Sequence, residues 1–171
     1  EKKGGLASVT GKIEFVSQSL QKQFPKDKER PPMARYIPSW EGYDSSLAKK
    51  YPLQLITNHH KRRANAQYDN IPWLKELMPQ AVVINAGDAK ARGIENGDMV
   101  RVFNDRGEVR VLAQTTQRLM PGVVILPAGA WYKPDKNGVD HAGSANVLTK
   151  HDPSPAGSFP YNSGLVQILK V

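Results

Sequence analysis

Residues 99–113 alternate apolar and polar side chains on both sides of Asn104-Asp105-Arg106-Gly107. A stretch with that period and that turn chemistry is satisfied as an antiparallel hairpin, with Met99–Phe103 and Glu108–Ala113 as its arms. A lone hairpin is marginal in water, and the chain offers further strands. Residues 51–57 form a clear strand that runs into Asn58-His59-His60-Lys61-Arg62-Arg63, residues 81–85 a buried one, and residues 123–126 and 165–169 two more. Thr10-Gly11-Lys12-Ile13-Glu14-Phe15-Val16 alternates as a short half-buried strand would, with its partner distant in sequence.

Helices are short in this reading. Asp69 to Met78 reads as one, with Asn70 as cap candidate, Pro72 near the first turn and Trp73, Leu74 and Leu77 as apolar stripe. Gly87 to Arg92 reads as a helical turn closed by Gly93, the residue that tolerates positive φ. From Gln21 to Ser46, Pro25, Pro31, Pro32 and Pro38 block regular structure and trace an extended arm. Ala128 to Thr149 is a long loop. The sum is mainly β with short helices: a small barrel over residues 49–171, preceded over residues 1–48 by a strand and a Pro-rich arm.

Composition narrows the chemistry. The chain has 171 residues and no apolar run near the roughly 18 that a membrane span needs, and its mean hydropathy is −0.52. Direct membrane insertion is therefore not expected. Glu1-Lys2-Lys3-Gly4-Gly5 has no apolar segment behind it and does not read as a signal peptide. With no cysteine, the chain supplies neither a thiolate ligand nor a cysteine nucleophile. A net charge of +8 attracts anions: phosphate esters, nucleic acid or acidic lipid.

The basic cluster is the main candidate for binding them. At a strand end, His59, His60, Lys61, Arg62 and Arg63 together with free backbone amides can face one ligand, and phosphate suits that set. Arg62 and Arg63 offer planar forks, Lys61 a point charge, and Thr57 and Asn58 neutral hydrogen bonds. A solvated charged loop accounts for the same residues. His59 and His60 project to opposite sides of an extended chain, which argues against one shared metal ion. His141 and His151 match no zinc spacing, and no serine stands in a nucleophile motif, so no catalytic residue and no metal site are assigned. The loop Ala128-Gly129-Ala130-Trp131 and the later Ala145-Asn146-Val147-Leu148-Thr149 can admit a flat heterocycle, with Asn146 reading its edge, or can simply pack on Trp131.

Several stretches together carry a resemblance. Thr-Gly-Lys-Ile-Glu-Phe from Thr10, Leu-Ile-Thr-Asn-His-His-Lys-Arg-Arg from Leu55 and Ser-Ala-Asn-Val-Leu-Thr from Ser144 fall in the order and spacing of the dimethyl sulfoxide reductase family of molybdopterin oxidoreductases. Ile84-Asn85-Ala86-Gly87-Asp88-Ala89 with Arg92-Gly93-Ile94-Glu95-Asn96-Gly97-Asp98 resembles that family's Asn-Pro-x-Asp-Ala and Gly-Ile-x-x-Gly-Asp segment. Tyr68–Glu76, Phe103–Val109 and Met120–Val124 extend the likeness to the catalytic subunits of its anaerobic members. The chain departs where relatives often have His-Ser, here Asn65-Ala66, and where Asn85-Ala86 stands for Asn-Pro.

The resemblance implies a double-psi β-barrel of the aspartate decarboxylase-like kind, the C-terminal domain that closes over bis(molybdopterin guanine dinucleotide) carrying molybdenum. It implies cofactor contacts from Thr57, Asn58, His59, His60, Lys61, Arg62, Arg63 and Asn65, and from Trp131, Asn146 and Asn162. It further implies an enzyme reducing an S-oxide or N-oxide such as dimethyl sulfoxide in anaerobic respiration. Upstream domains of the same polypeptide would supply the metal ligand, an iron–sulfur subunit and a membrane anchor subunit would be partners, and the parent enzyme would be exported. The fragment alone would bind but not turn over. Two other readings stay open: a basic nucleic-acid-binding module, which the charge permits although the aromatics do not interleave with the basic run, and a double-psi barrel enzyme that cleaves itself at a Gly-Ser bond.

Overall fold

A computed structural model of the chain describes residues 5–154 and 157–171; residues 1–4, including the Lys2-Lys3 pair of the opening segment, and residues 155–156 lie outside the described residues. Six strands, β1 (Leu53–Ile56), β2 (Ala81–Asn85), β3 (Met99–Asn104), β4 (Gly107–Thr116), β5 (Val123–Ile125) and β6 (Gly164–Lys170), close into one barrel in the order β1-β5-β2-β4-β3-β6. The β1·β5 and β2·β4 pairs are parallel and the other four antiparallel. This is a double-psi β-barrel, mainly β as the sequence implies.

The interior follows from period-two alternation, which places every second side chain inside a closed sheet. Leu53 and Leu55 of β1, Val82 and Ile84 of β2, Val100 and Val102 of β3, Val109 and Val111 of β4, Val124 of β5 and Ile168 of β6 are all buried. The expected hairpin forms with Asn104 paired to Gly107, leaving Asp105 and Arg106 as its two-residue turn. Neither turn residue has positive φ, so this is not a primed turn. Instead the Asn104 side-chain oxygen accepts from the Arg106 amide at 3.0 Å, while its NH2 donates to the carbonyls of Leu148 (2.9 Å) and Leu165 (3.1 Å).

Among the described residues there are three short α-helices, α1 (Gln18–Gln23), α2 (Pro72–Leu77) and α3 (Ala86–Lys90), and two 3-10 turns, Ser46–Lys49 and Ala145–Val147. At α2 the cap position is Ile71, not Asn70, and it supplies no side-chain cap; Pro72 opens the helix. The expected stripe is also not an inner face, since Trp73 and Leu77 are exposed. Six residues make under two turns, too short to bury a stripe. Residues 10–16 do not form the expected strand: only Val16 pairs, in a single bridge to Met33, and Ile13 and Phe15 are exposed. Running into the start of the expected arm, α1 is capped by the Ser17 hydroxyl, which accepts from the Leu20 amide.

By packing, the chain divides into two units, Glu1–Pro38 with Ser154–Ser158 and Ser39–Pro153 with Phe159–Val171. The second holds the barrel. Within it Glu41 is buried, paired with Arg106 at 2.5 and 2.8 Å, and accepts from the Leu165 amide at 3.3 Å.

Strand directions decide where the loops lie. β1 and β5 run together, β2 opposes β5, β6 opposes β1 and β3 opposes β6. The exits of β1 and β5, the entries to β2 and β6 and the hairpin tip therefore all gather at one end of the barrel, here called the upper rim.

Candidate functional site

Thr57 is the first residue beyond β1, and from there the chain stays beside the segment that leaves β5. The Leu126 amide donates to the Ile56 carbonyl at 3.0 Å, the Ala128 amide to the Asn58 carbonyl at 2.8 Å, and His59 bridges Ala128 in parallel. Across the rim, the Asn162 side-chain oxygen accepts from the Thr57 amide (2.7 Å) and hydroxyl (3.2 Å). Two residues 105 positions apart, both singled out in the sequence, are thus in direct contact.

The cationic cluster separates into two kinds of residue. Lys61, Arg62 and His59 are exposed, and among the described residues their side chains make no hydrogen bond or ion pair. Arg63 turns inward, its side chain 5% exposed, and donates to Asp69 (2.7 Å) and to the Gln80 side chain (2.9 Å). Asp69, itself 2% exposed, also accepts from the Trp131 amide at 2.9 Å. Gln80 donates onward to the carbonyls of Pro127 (2.7 Å) and Gly143 (2.9 Å). Three loops are therefore tied through one buried arginine–aspartate pair and one glutamine.

His60 is buried between these groups. Its Nδ1 accepts from the Arg62 amide at 3.2 Å and its Nε2 has no partner among the described residues. Burial, followed by the nearby Arg63 charge, holds the imidazole below the usual histidine range, against an opposing pull from Asp69. A neutral His60 keeps Nδ1 free to accept.

Asn65 sits at positive φ (55°) in the turn Ala64–Gln67, and Gly129 packs against it so closely that a methyl group there would meet the Asn65 carbonyl oxygen at 1.9 Å. The Trp131 indole donates to the Ala66 carbonyl at 2.7 Å, leaving its ring half exposed above this turn. Asn146 is exposed on the 3-10 turn Ala145–Val147. Its turn reaches the upper rim because Leu148 lies beside Gly164 of β6 and accepts from Asn104. No hydrogen bond joins Asn146 to the basic loop among the described residues; the link runs through Gly143, Gln80 and Arg63. Asp140, fully buried, shapes the same loop by accepting from the amides of Lys133 (2.7 Å), Ala142 (3.2 Å) and Ser144 (2.6 Å).

Sequence reasoning missed Asp69 and Gln80 as organisers of the site. Gln80 had one legible signal, a polar residue placed just before the buried run Ala81–Asn85, where its side chain must lie at a barrel end. Elsewhere His141 is a surface residue beside Asp135 (3.1 Å), and no group of three or more potential metal ligands occurs among the described residues. Among the described residues, no helix is long and apolar enough to cross a membrane.

The donor set can be tested against a phosphorylated dinucleotide. Unpaired, exposed Lys61 and Arg62 provide charge, the exposed Asn58 side chain provides a neutral contact, and the loop that carries them is fixed from beneath by Arg63–Asp69. Cations without carboxylate partners on a fixed loop fit a diphosphate. The fold and site define a closed barrel domain whose rim presents two exposed cations on a loop held from beneath by a buried ion pair.

Comparison with known proteins makes this specific. Residues 53–163 match the family model described as "Molydopterin dinucleotide binding domain", and the chain belongs to that family. It is 47% identical to the probable dimethyl sulfoxide reductase chain YnfF and 46% identical to the dimethyl sulfoxide reductase DmsA, both of Escherichia coli (strain K12), over 97% of its own length in each case. It spans 22% and 21% of those relatives. It is 35% identical to the pyrogallol hydroxytransferase large subunit of Pelobacter acidigallici over 97% of this chain and 21% of that one. Among solved structures, acetylene hydratase from Pelobacter acetylenicus superposes with a TM-score of 0.80 at 19% identity, covering 99% of this chain and 25% of that one, which shows the shared fold.

Proposed function

We propose that the upper rim clamps the diphosphate and ring systems of bis(molybdopterin guanine dinucleotide), within a molybdenum oxidoreductase that reduces an S-oxide or N-oxide such as dimethyl sulfoxide. The observation that carries this reading is the division of labour in the basic loop, where Lys61 and Arg62 stay unpaired at the surface while Arg63 is locked below them. Lys61 and Arg62 neutralise the phosphates, with Asn58 and the Thr57 hydroxyl adding neutral contacts. His60 and Arg63 act from beneath as positioning residues: one accepts from the Arg62 amide, the other fixes the loop to Asp69 and Gln80. Trp131 and Asn65 line the far side of the loop, and Asn146 and Asn162 approach from the later segments.

When bound, molybdenum would supply the oxygen-atom transfer, and Lys61, Arg62, Asn58 and Thr57 would hold the group that carries it. In the same proposal, the residues that precede the barrel are the arm of a neighbouring domain, the remaining domains lie in the same polypeptide, and iron–sulfur and membrane-anchor subunits complete an exported enzyme.

The test is calorimetric titration of guanosine diphosphate into wild type and into Lys61→Ala/Arg62→Ala, with a single-stranded oligonucleotide in parallel. Binding of the nucleotide that the double variant weakens by about tenfold or more supports the clamp, since each charged hydrogen bond is worth roughly 1.5–3 kcal/mol. Tight oligonucleotide binding with a steep salt dependence would instead favour a nucleic-acid module.

A further inference from the structure

Beside the Thr57–Asn162 contact lies a feature that neither the basic loop nor the family match explains. The rings of Phe159 and Tyr161 are stacked, with centroids 5.8 Å apart and planes 13° from parallel, yet they are 45% and 44% exposed. Pro160 sits at the centre of a tight three-residue turn that brings the two rings together, and its pyrrolidine ring fixes φ there. The Tyr161 amide donates to the Phe159 carbonyl at 3.1 Å and the Ser163 amide to the Pro160 carbonyl at 2.9 Å, so the backbone beneath the pair is tied down. Tyr161 directly precedes Asn162, whose side chain holds Thr57 and whose carbonyl accepts from Gln54 at 3.2 Å. The aromatic pair is therefore anchored to the residue from which the basic loop starts.

We infer that Phe159 and Tyr161 form a stacking platform for a flat bicyclic heteroaromatic ring, belonging to the ligand whose phosphates the basic loop takes. Half-exposed stacked rings leave apolar area in water that a third ring would cover. Aromatic faces prefer offset stacking, and a heterocycle stacks without needing matched hydrogen bonds, as bases do on aromatic side chains in single-strand binders. Charge at Lys61 and Arg62 together with π surface at Phe159 and Tyr161 gives the rim both halves of a nucleotide-type ligand. The inference rests on the clamp reading. Guanine and pterin both have the required ring chemistry, and the experiment separates them.

On the 171-residue chain, guanosine diphosphate, inorganic pyrophosphate and phosphate-free neopterin are titrated calorimetrically into wild type, Phe159→Ala/Tyr161→Ala and Phe159→Leu/Tyr161→Leu. The leucine variant keeps apolar bulk and removes the π faces, and circular dichroism melts verify that each variant folds. The platform predicts that both variants lose roughly five- to a hundredfold in guanosine diphosphate affinity while pyrophosphate affinity stays within about twofold of wild type. A matching loss for neopterin means the platform accepts pterin as well; neopterin that never binds restricts it to guanine. Variants that bind guanosine diphosphate as wild type does overturn the platform and leave the clamp standing. A wild type that binds neither phosphate probe overturns both.

Discussion

At the residue scale, adjacent members of one basic run do opposite work. Arg62→Ala removes an exposed side chain without a partner and should change stability by no more than about 0.5 kcal/mol. Asp69→Ala leaves the Arg63 guanidinium buried without its counter-charge and should cost about 3–5 kcal/mol, read as a lower urea midpoint. His60 adds a pH signature. Its folded-state value lies below the ordinary 6.5, so in the window from 6.5 down to that depressed value the unfolded chain binds more protons than the folded one. The contribution of His60 is complete above about pH 6.5 and is lost as pH falls through the window. His60→Asn retains an acceptor for the Arg62 amide and does not titrate, so the fall in melting temperature between pH 7.5 and 5.5 should be smaller in the variant than in wild type. An equal fall in both would remove His60 from the account.

At the scale of elements, the chain's departures from the family pattern become physical questions. Asn85 caps α3, its side-chain oxygen accepting from the Gly87 amide at 2.8 Å and the Asp88 amide at 3.3 Å, and Ala86 stands at the first helical position. Proline suits that position, where the amide has no intrahelical acceptor, and the extended Asn85 backbone (ψ 138°) tolerates a following proline. Ala86→Pro should therefore stabilise the chain by about 0.4–1 kcal/mol through a less flexible unfolded state, measurable as a raised melting temperature. What the sequence made legible at this scale was local: alternation in β3 and β4, the buried run of β2 and the Gly93 terminator all carry their signals within a few residues. Residues 10–16 carry the same alternation without becoming a strand, because period two shows that a segment could pair and not whether a partner exists. α1 went unseen because its signal was one serine cap ahead of six residues, too few to show a helical stripe. The site was half legible for the same reason: Thr57, Lys61 and Arg62 stand in a visible run, whereas the Arg63–Asp69–Gln80 tie and the Thr57–Asn162 contact exist only once the barrel closes.

At the scale of the molecule, the question is where the barrel begins. The sequence suggests residue 49, on the strength of prolines that precede it, but proline content reports local stiffness and not long-range pairing. Glu41 lies buried, holding Arg106 at the hairpin tip and the Leu165 amide at the start of β6, so it ties the arms of the barrel that flank the upper rim. A chain starting at Ser39 keeps that carboxylate, and one starting at Lys49 removes it. Each buried polar group then left without a partner costs about 1–3 kcal/mol, and the Leu165 amide is such a group. Residues 39–171 should unfold at the urea midpoint of the barrel in the full chain, and residues 49–171 at a clearly lower one. Glu41→Gln in the longer form should fall between them, since an amide oxygen still accepts from Leu165 but no longer neutralises Arg106. Equal midpoints for the two truncations would place the beginning of the barrel at residue 49 and make the Glu41–Arg106 pair incidental; an unfolded 39–171 chain would show instead that the barrel depends on the residues before Ser39.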